Sequence, residues 1–123
     1  MNLLEHSALT MESDEPTRIQ IIALEGEWDL ANVRQLDHAI DEGIDSGARD
    51  FIADLSDVRF VDASTVHALL RGWKCAARRN GRFVLVRPGE RIWRVFVLIG
   101  VSRTFAAFSS RREARAYLAG SHN

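Results

Sequence analysis

The stretch VDASTVHALL at residues 61–70 places an acid, a small residue and two hydroxyls directly before an apolar pattern of helical spacing. Asp62, Ser64 and Thr65 therefore lie where a predicted strand is followed by a predicted helix. The N–H groups and the dipole at a helix N-terminus favour an anion. A phosphate on Ser64 would lie beside those donors and beside Asp62, which suits an electrostatic switch. Capping is the alternative, and physical chemistry alone favours it, because Ser and Thr are good N-cap residues.

Two further acids are placed near the ends of predicted strands. Asp29 follows the second predicted strand, and Asp54 lies near the end of the third. In an open α/β sheet, binding and catalytic sites collect beyond the carboxyl ends of the strands. One interpretation is therefore an enzyme in which Asp29, Asp54 and Asp62 surround a divalent cation.

The other metal-ligating and nucleophilic side chains show no comparable pattern. His6, His38, His67 and His122 have no ligand spacing relative to one another or to Cys75, so we expect no metal site and no cofactor. The sequence contains no glycine-rich phosphate loop, and no catalytic triad is persuasive. The segment around Ser64 remains the strongest candidate site.

Hydrophobic periodicity predicts alternating strands and helices. The predicted strands are 3–11, 18–25, 51–55, 82–86 and 104–108, with a turn at 13–16. The predicted helices cover about 33–44, 66–77, 90–99 and 110–118. The order β-β-α-β-α-β-α-β-α predicts one α/β domain, with a mixed, mostly parallel sheet of four to five strands and about four helices.

Particular residues are expected to mark the ends of these elements. Gly26 is expected to end the second strand. Asn32 and Gln35 have the spacing of a capping box at the first helix, and Ser110 with Glu113 has it at the last.

Charge is distributed unevenly along the 123 residues. Residues 1–70 contain 4 of the 16 Lys and Arg and 15 of the 17 Asp and Glu, whereas residues 71–123 contain 12 and 2. The two parts carry about −11 and +10 by this count. A basic surface can bind nucleic acid. Because these basic residues are scattered among apolar positions, we expect acidic and basic elements to neutralise each other, and we expect no nucleic-acid partner.

The sequence also bears on location. Residues 1–16 lack the basic start and the apolar run of a signal peptide. The most apolar stretch, 92–101, is far shorter than the roughly 20 residues of a membrane helix. The one cysteine excludes an internal disulfide and fits a reducing compartment. We expect a soluble, cytoplasmic protein that has no membrane partner.

The third predicted helix has apolar residues on two faces. Ile92, Phe96 and Ile99 share one face, and Trp93 and Val97 lie on a neighbouring, outward face. One interpretation is a helix that packs on both sides. The other is an exposed apolar patch for a partner or for homodimer formation.

Three segments resemble the STAS domain family, whose founding members are bacterial anti-sigma factor antagonists. LEGEWDLANVRQL (24–36) resembles the family's strand-to-helix segment, and FIADLSDVRFVDASTVHALL (51–70) resembles its central signature. RFVLVRPGERIWRVFVLIGVSRTF (82–105) resembles its third part. The order and spacing of the three segments carry the resemblance. It implies that residues 1–123 form a single STAS-like domain, with its core at about 18–118.

The resemblance implies a phosphorylation-controlled binding protein, not an enzyme. Ser64 stands at the family's phosphoacceptor position, and Thr65, in place of the family's usual glycine, is the alternative acceptor. Asp29 and Asp62 match acids that orient the acceptor or contact the kinase. Apart from the resemblance, His67 is a candidate interface residue together with Trp93 and Val97. The implied partner is an anti-sigma factor with serine kinase activity. It would bind the unphosphorylated protein and release the phosphorylated one, thereby controlling sigma-factor-dependent transcription.

Two alternatives remain open at this point. The first is a STAS-like module that is never phosphorylated and binds a small anion or nucleotide at the Ser64 end of the helix, or that serves as a regulatory subunit of another signalling complex. The second is the α/β enzyme that uses Asp29, Asp54 and Asp62 around a divalent cation.

Overall fold

The computed structural model describes residues 6–120, which form strands and helices in the predicted order. The elements are β1 (Ser7–Asp14), β2 (Ile19–Trp28), α1 (Val33–Asp45), β3 (Asp50–Val61), α2 (Ala63–Arg78), β4 (Phe83–Val86), α3 (Glu90–Ile99), β5 (Ala107–Phe108) and α4 (Arg111–Gly120).

The strands form a single mixed sheet in the order β1-β2-β3-β4-β5. β1 is antiparallel to β2, whereas β2, β3, β4 and β5 run parallel to one another. Each parallel connection contains a helix, as a crossover between parallel strands requires. The predicted α/β class and the mostly parallel sheet are confirmed. The parallel arrangement also brings the carboxyl ends of β2, β3 and β4 to the same edge of the sheet.

The helices cover both faces of the sheet. On one face, α1, α2 and α3 bury side chains such as Leu36, Leu69 and Phe96 against the strands. On the opposite face, Ala114 and Leu118 of α4 pack on alternate apolar residues of β2, β3 and β4. Strands buried on both faces are apolar at successive positions, which explains the continuous runs in β2 and β3. Within residues 6–120, no helix combines the length and the apolar character that crossing a membrane would require.

The first two strands end later in the sequence than predicted. β1 continues through Asp14, because antiparallel pairing with Ile19 supplies backbone partners for residues that were predicted as a turn. Residues 3–5 of the predicted first strand lie outside the described residues. β2 continues past Gly26, so the prediction that this glycine ends the strand is wrong. Gly26 has φ of +87° at a register irregularity, where any Cβ would overlap the carbonyl oxygen of His6.

The third and fifth strands also differ from their predicted lengths. β3 extends beyond the predicted 51–55 as far as Val61, because β2 pairs with it up to the partners Trp28 and Val61. Asp54 therefore lies inside β3 and not near its end. β5 is shorter than the predicted 104–108, because its pairing with β4 involves Ala107 and Phe108 alone.

The helix starts show one wrong prediction and one confirmed prediction. Asn32 precedes α1 but makes no side-chain cap. Its Oδ1 accepts from the N–H of Asp29 (2.9 Å) and its Nδ2 donates to the carbonyl of Glu27 (2.9 Å), so the preceding loop uses the side chain predicted for a capping box. At α4, Oγ of Ser110 accepts from the N–H of Glu113 (3.1 Å), as the sequence predicts.

Candidate functional site

The candidate site lies at the edge of the sheet where β2 and β3 end. Their parallel pairing places the loop 29–32, which follows Trp28, beside the segment 62–65, which follows Val61. The N–H of Asp62 donates to the carbonyl of Trp28 (3.3 Å), which joins the two connections directly. The site is therefore built from two consecutive strand-to-helix connections.

Asp62 is the N-cap of α2, which corrects the expectation that Ser64 caps this helix. The backbone of Asp62 is extended (φ −111°, ψ −179°), and its Oδ1 accepts from the N–H of Thr65 (3.1 Å). Asp is among the preferred N-cap residues, because its carboxylate accepts from a backbone N–H of the first helical turn, here that of Thr65. Ser64 lies inside that turn, and its hydroxyl is not needed to begin the helix.

The hydroxyl of Ser64 is held by the capping carboxylate. Oγ of Ser64 donates to Oδ1 of Asp62 at 2.6 Å, and the N–H of Leu30 donates to Oδ2 at 3.2 Å. Burial works to raise the pKa of Asp62, but hydrogen bonds from Ser64, Thr65 and Leu30 hold this pKa below its ordinary value. The side chain is therefore a carboxylate at neutral pH and fixes the orientation of the Ser64 hydroxyl.

The two neighbouring hydroxyls differ in accessibility. Thr65 is fully buried (0% exposed), and its Oγ1 lies 3.3 Å from Oδ1 of Asp62. Ser64 is partly exposed. Ser64 is therefore the more accessible of the two residues on the folded protein, whereas Thr65 is enclosed in the first turn of α2.

Asp29 shapes its own loop. Its Oδ1 accepts from the N–H of Ala31 (2.9 Å). Within residues 6–120, its carboxylate makes no hydrogen bond to Ser64, so the structure brings Asp62, and not Asp29, into contact with that hydroxyl. Leu30, in the same loop, is 74% exposed. Leu30 is not among the residues that the sequence predicts for the site, although a large apolar residue in a strand-to-helix loop can indicate an exposed contact.

Asp54 does not join this site. Its carboxylate accepts from Nε of Arg111 (2.6 Å) and from the hydroxyl of Ser56 (2.7 Å). Burial works to raise the pKa of Asp54, but the hydrogen bonds from Arg111 and Ser56 hold it below its ordinary value. In the part of the chain that the structure describes, no three His, Cys, Asp or Glu side chains are grouped to hold a metal ion. The alternative interpretation, in which Asp29, Asp54 and Asp62 converge on a divalent cation, is therefore wrong.

The other predicted contact residues lie on α2 and α3. His67 is exposed on α2. Val97 is 52% exposed, whereas Trp93 is half-buried. The Trp93 ring stacks on Phe96 with 4.9 Å between centroids, and the guanidinium of Arg87 lies 5.0 Å from the Trp93 centroid. Trp93 and Val97 are therefore not equivalent parts of one exposed patch.

The comparisons with known proteins identify the family. The sequence matches the STAS domain model over residues 10–114, so the chain belongs to the STAS domain family, as its sequence motifs indicate. No curated protein matches the sequence.

Solved structures share the fold over nearly the whole chain. An anti-sigma factor antagonist from Mycobacterium paratuberculosis has a TM-score of 0.80 at 20% identity, covering 92% of this chain and 94% of its own. The anti-sigma factor antagonist SpoIIAA, in its unphosphorylated form, has a TM-score of 0.79 at 25% identity, with coverages of 92% and 97%.

The phosphorylated form of SpoIIAA also matches, and the same fold occurs in a sulfate transporter family protein. The phosphorylated form, from Bacillus, has a TM-score of 0.69 at 25% identity, with coverages of 89% and 98%. A sulfate transporter family protein from Wolinella succinogenes has a TM-score of 0.71 at 20% identity, with coverages of 82% and 84%. The fold alone therefore does not specify one function.

Proposed function

We propose that this protein is an anti-sigma factor antagonist controlled by phosphorylation of Ser64. In its unphosphorylated state it binds an anti-sigma factor that has serine kinase activity, and phosphorylation releases it. The observation that carries the proposal is that Ser64 is partly exposed and that the Asp62 carboxylate orients its hydroxyl at 2.6 Å. The similarity to SpoIIAA, solved in unphosphorylated and phosphorylated forms, supports it.

The proposed reaction is chemistry of the partner, and the present protein is its substrate and not an enzyme. The bond between Oγ of Ser64 and the γ-phosphorus of ATP forms, the bond to the β-phosphate oxygen breaks, and ADP leaves. A base of the kinase accepts the hydroxyl proton. The product carries about 1.5 to 2 negative charges beside Asp62, which weakens a complex formed with the neutral hydroxyl.

The proposed contact surface surrounds Ser64. His67 is exposed on α2 three residues after Ser64, on the neighbouring turn of the same helix face. We place His67 on the surface that faces the kinase, together with the loop that contains Asp29. We further propose that residues 1–123 act as one domain in the bacterial cytoplasm, where the control of a sigma factor takes place.

Replacing the hydroxyl tests the proposal directly. The partner is captured from lysate of the native host, and the protein is then incubated with it and Mg-ATP and weighed by intact mass spectrometry. Wild type should gain one phosphate, and Ser64→Ala should gain none while it still binds the partner. Thr65→Val is the matched control and should be phosphorylated like wild type, because the Thr65 hydroxyl is buried.

A charge substitution tests the release step. Ser64→Asp should weaken partner binding by about tenfold or more, as a misplaced charge in an interface does. If Ser64→Ala still gains a phosphate and Thr65→Val gains none, the acceptor is Thr65 and not Ser64. If no variant, including wild type, gains phosphate from the captured partner, the switch mechanism is wrong.

A further inference from the structure

The Asp62 carboxylate connects two parts of the molecule that are distant in sequence. Oδ1 accepts from the Ser64 hydroxyl (2.6 Å) and the Thr65 N–H (3.1 Å) of α2, and Oδ2 accepts from the Leu30 N–H (3.2 Å) of the loop 29–32. One carboxylate therefore holds both the proposed phosphoacceptor and the backbone that carries an exposed leucine. Any change at Ser64 that displaces this carboxylate also acts on Leu30.

Phosphorylation replaces the attraction between Ser64 and Asp62 with repulsion. The phosphate ester has no hydroxyl proton, so the 2.6 Å hydrogen bond to Oδ1 is lost. The new group is an anion of about 1.5 to 2 charges, and it stands next to a carboxylate. Like charges at this distance repel, and the backbone N–H groups at the helix N-terminus become donors for the phosphate. Asp62 is therefore driven out of the position in which it accepts from Leu30.

We propose that Asp62 is a positioning residue that transmits phosphorylation of Ser64 to Leu30. The inference rests on the proposed function, because it takes Ser64 as the phosphoacceptor. In the unphosphorylated state, Asp62 fixes the backbone of Leu30 and so fixes the position from which a 74% exposed leucyl side chain projects. In the phosphorylated state, the hydrogen bond from the Leu30 N–H to Asp62 is lost, so the backbone at Leu30 is released and that apolar contact is no longer fixed. Phosphorylation then acts on the surface twice, by adding charge and by freeing Leu30.

The loop contains its own control. The N–H of Ala31, the next residue, donates to Oδ1 of Asp29 (2.9 Å) and not to Asp62. Displacement of Asp62 should therefore affect the amide of Leu30 and leave that of Ala31 largely unchanged. A general loosening of the loop would affect both amides.

The test uses the full chain with phosphoserine installed at position 64 by genetic code expansion, so that no kinase is needed. Amide hydrogen exchange is measured by NMR for the unmodified and the phosphorylated protein. Exchange at Leu30 should become about tenfold faster on phosphorylation, as expected for the loss of a hydrogen bond to a charged acceptor. Exchange at Ala31 should change by less than about twofold.

The variant Asp62→Asn distinguishes the roles of the two carboxylate oxygens, because it keeps the acceptor for the helix and removes the acceptor for Leu30. Asn is also a good N-cap, so one oxygen can still cap α2, but the second oxygen becomes an NH₂ group that cannot accept from Leu30. In this variant, the Leu30 amide should exchange fast before phosphorylation and change little after it. Asp62→Glu, which restores the second oxygen on a longer side chain, should partly recover the slow exchange.

The outcomes separate this inference from the proposed function. Unchanged Leu30 exchange in the phosphorylated wild type, or equal acceleration at Leu30 and Ala31, would overturn the coupling through Asp62. Failure of any kinase to modify Ser64 would overturn the proposed function, but it would leave the response of the installed phosphoserine intact.

Discussion

At the scale of single residues, the site depends on which side chain caps α2. The sequence shows that an acid and two hydroxyls meet a helix start, and this much is confirmed by the structure. It could not assign the cap, because Asp, Ser and Thr are all good N-cap residues. The assignment depends on where the strand ends, and β3 ends at Val61, which leaves Asp62 in the extended conformation of a cap.

This assignment predicts how the free energy of unfolding responds to substitution. Asp62→Ala should lower it by about 1 to 2 kcal/mol, because the cap is lost. Ser64→Ala should lower it by less than Asp62→Ala does, because one hydrogen bond to the Asp62 carboxylate is lost while the cap is kept. Urea unfolding measures both. Asp62→Asn keeps the cap but loses the hydrogen bond from Leu30, so its effect should lie between wild type and Asp62→Ala. A larger effect of Ser64→Ala than of Asp62→Ala would show that the cap is misassigned.

Asp54 gives a prediction for pH. Burial works to raise its pKa, but hydrogen bonds from Arg111 and Ser56 lower it from 3.8 in the folded state. The stability that this shift contributes is present above the unfolded-state pKa and is lost as the pH falls through the folded-state value. Asp54→Asn should therefore flatten the decline of the free energy of unfolding below about pH 4.

Urea unfolding of both proteins at a series of pH values between about 5 and 2.5 checks this. Asp57→Asn is the matched control, since Asp57 is an exposed acid on the same strand. If the curves of wild type and Asp54→Asn run parallel throughout, the pair of Asp54 and Arg111 does not contribute the expected pH dependence.

At the scale of elements, helical periodicity was more informative than strand length. Helix α3 matches its predicted range, because its buried residues follow the helical repeat and Gly100 ends it in the left-handed conformation (φ +91°). The length of a strand depends on how far a neighbouring strand pairs with it, and the residues of the strand alone do not show this. β3 continues to Val61 because β2 lies beside it, and β5 is short because β4 pairs with Ala107 and Phe108 alone.

Helix α3 predicts different effects for two substitutions that the sequence analysis treats as a pair. Trp93→Glu should lower the melting temperature, because the ring is half-buried and stacked on Phe96. Val97→Lys should leave it nearly unchanged, because Val97 is 52% exposed. If Val97 lies in an interface, Val97→Lys should also weaken partner binding or homodimer formation.

Differential scanning calorimetry and light scattering separate the two effects. Leu98→Lys, at an exposed neighbouring position on α3, shows whether an effect is specific to Val97. If Val97→Lys leaves both stability and association at the wild-type values, this face of α3 is not an interface.

At the scale of the whole molecule, acidic and basic segments are brought together by the fold. Arginines from the basic second part of the sequence form ion pairs with acids from the first part. These pairs are Arg71 with Asp37 (3.0 Å), Arg111 with Glu12 (2.8 Å) and Arg115 with Asp14 (3.1 Å). Exposed pairs of this kind contribute little stability, but they offset three of the twelve basic charges in residues 71–123. The sequence predicted neutralisation, but which residues pair follows from the sheet order.

This neutralisation predicts weak, non-specific behaviour towards DNA. On duplex DNA immobilised on a column, the protein should elute well below physiological ionic strength, about 0.15 M. Its affinity should lack the steep dependence on salt that several phosphate contacts produce. Retention above that concentration with a steep salt dependence would contradict the expectation that nucleic acid is not a partner.

The position of α4 has a consequence for how the chain acquires its structure during synthesis. Each strand pairs with its neighbour in sequence, so the sheet can extend strand by strand as the chain leaves the ribosome. One face of that sheet, however, stays uncovered until Ala114 and Leu118 of α4 have emerged to pack on it. Arg111 and Arg115 then reach back to Glu12 and Asp14, about a hundred residues earlier. A nascent chain that ends before α4 therefore presents an apolar sheet face to chaperones and proteases, and the synthesis of the last helix sets the moment at which the domain becomes resistant to them.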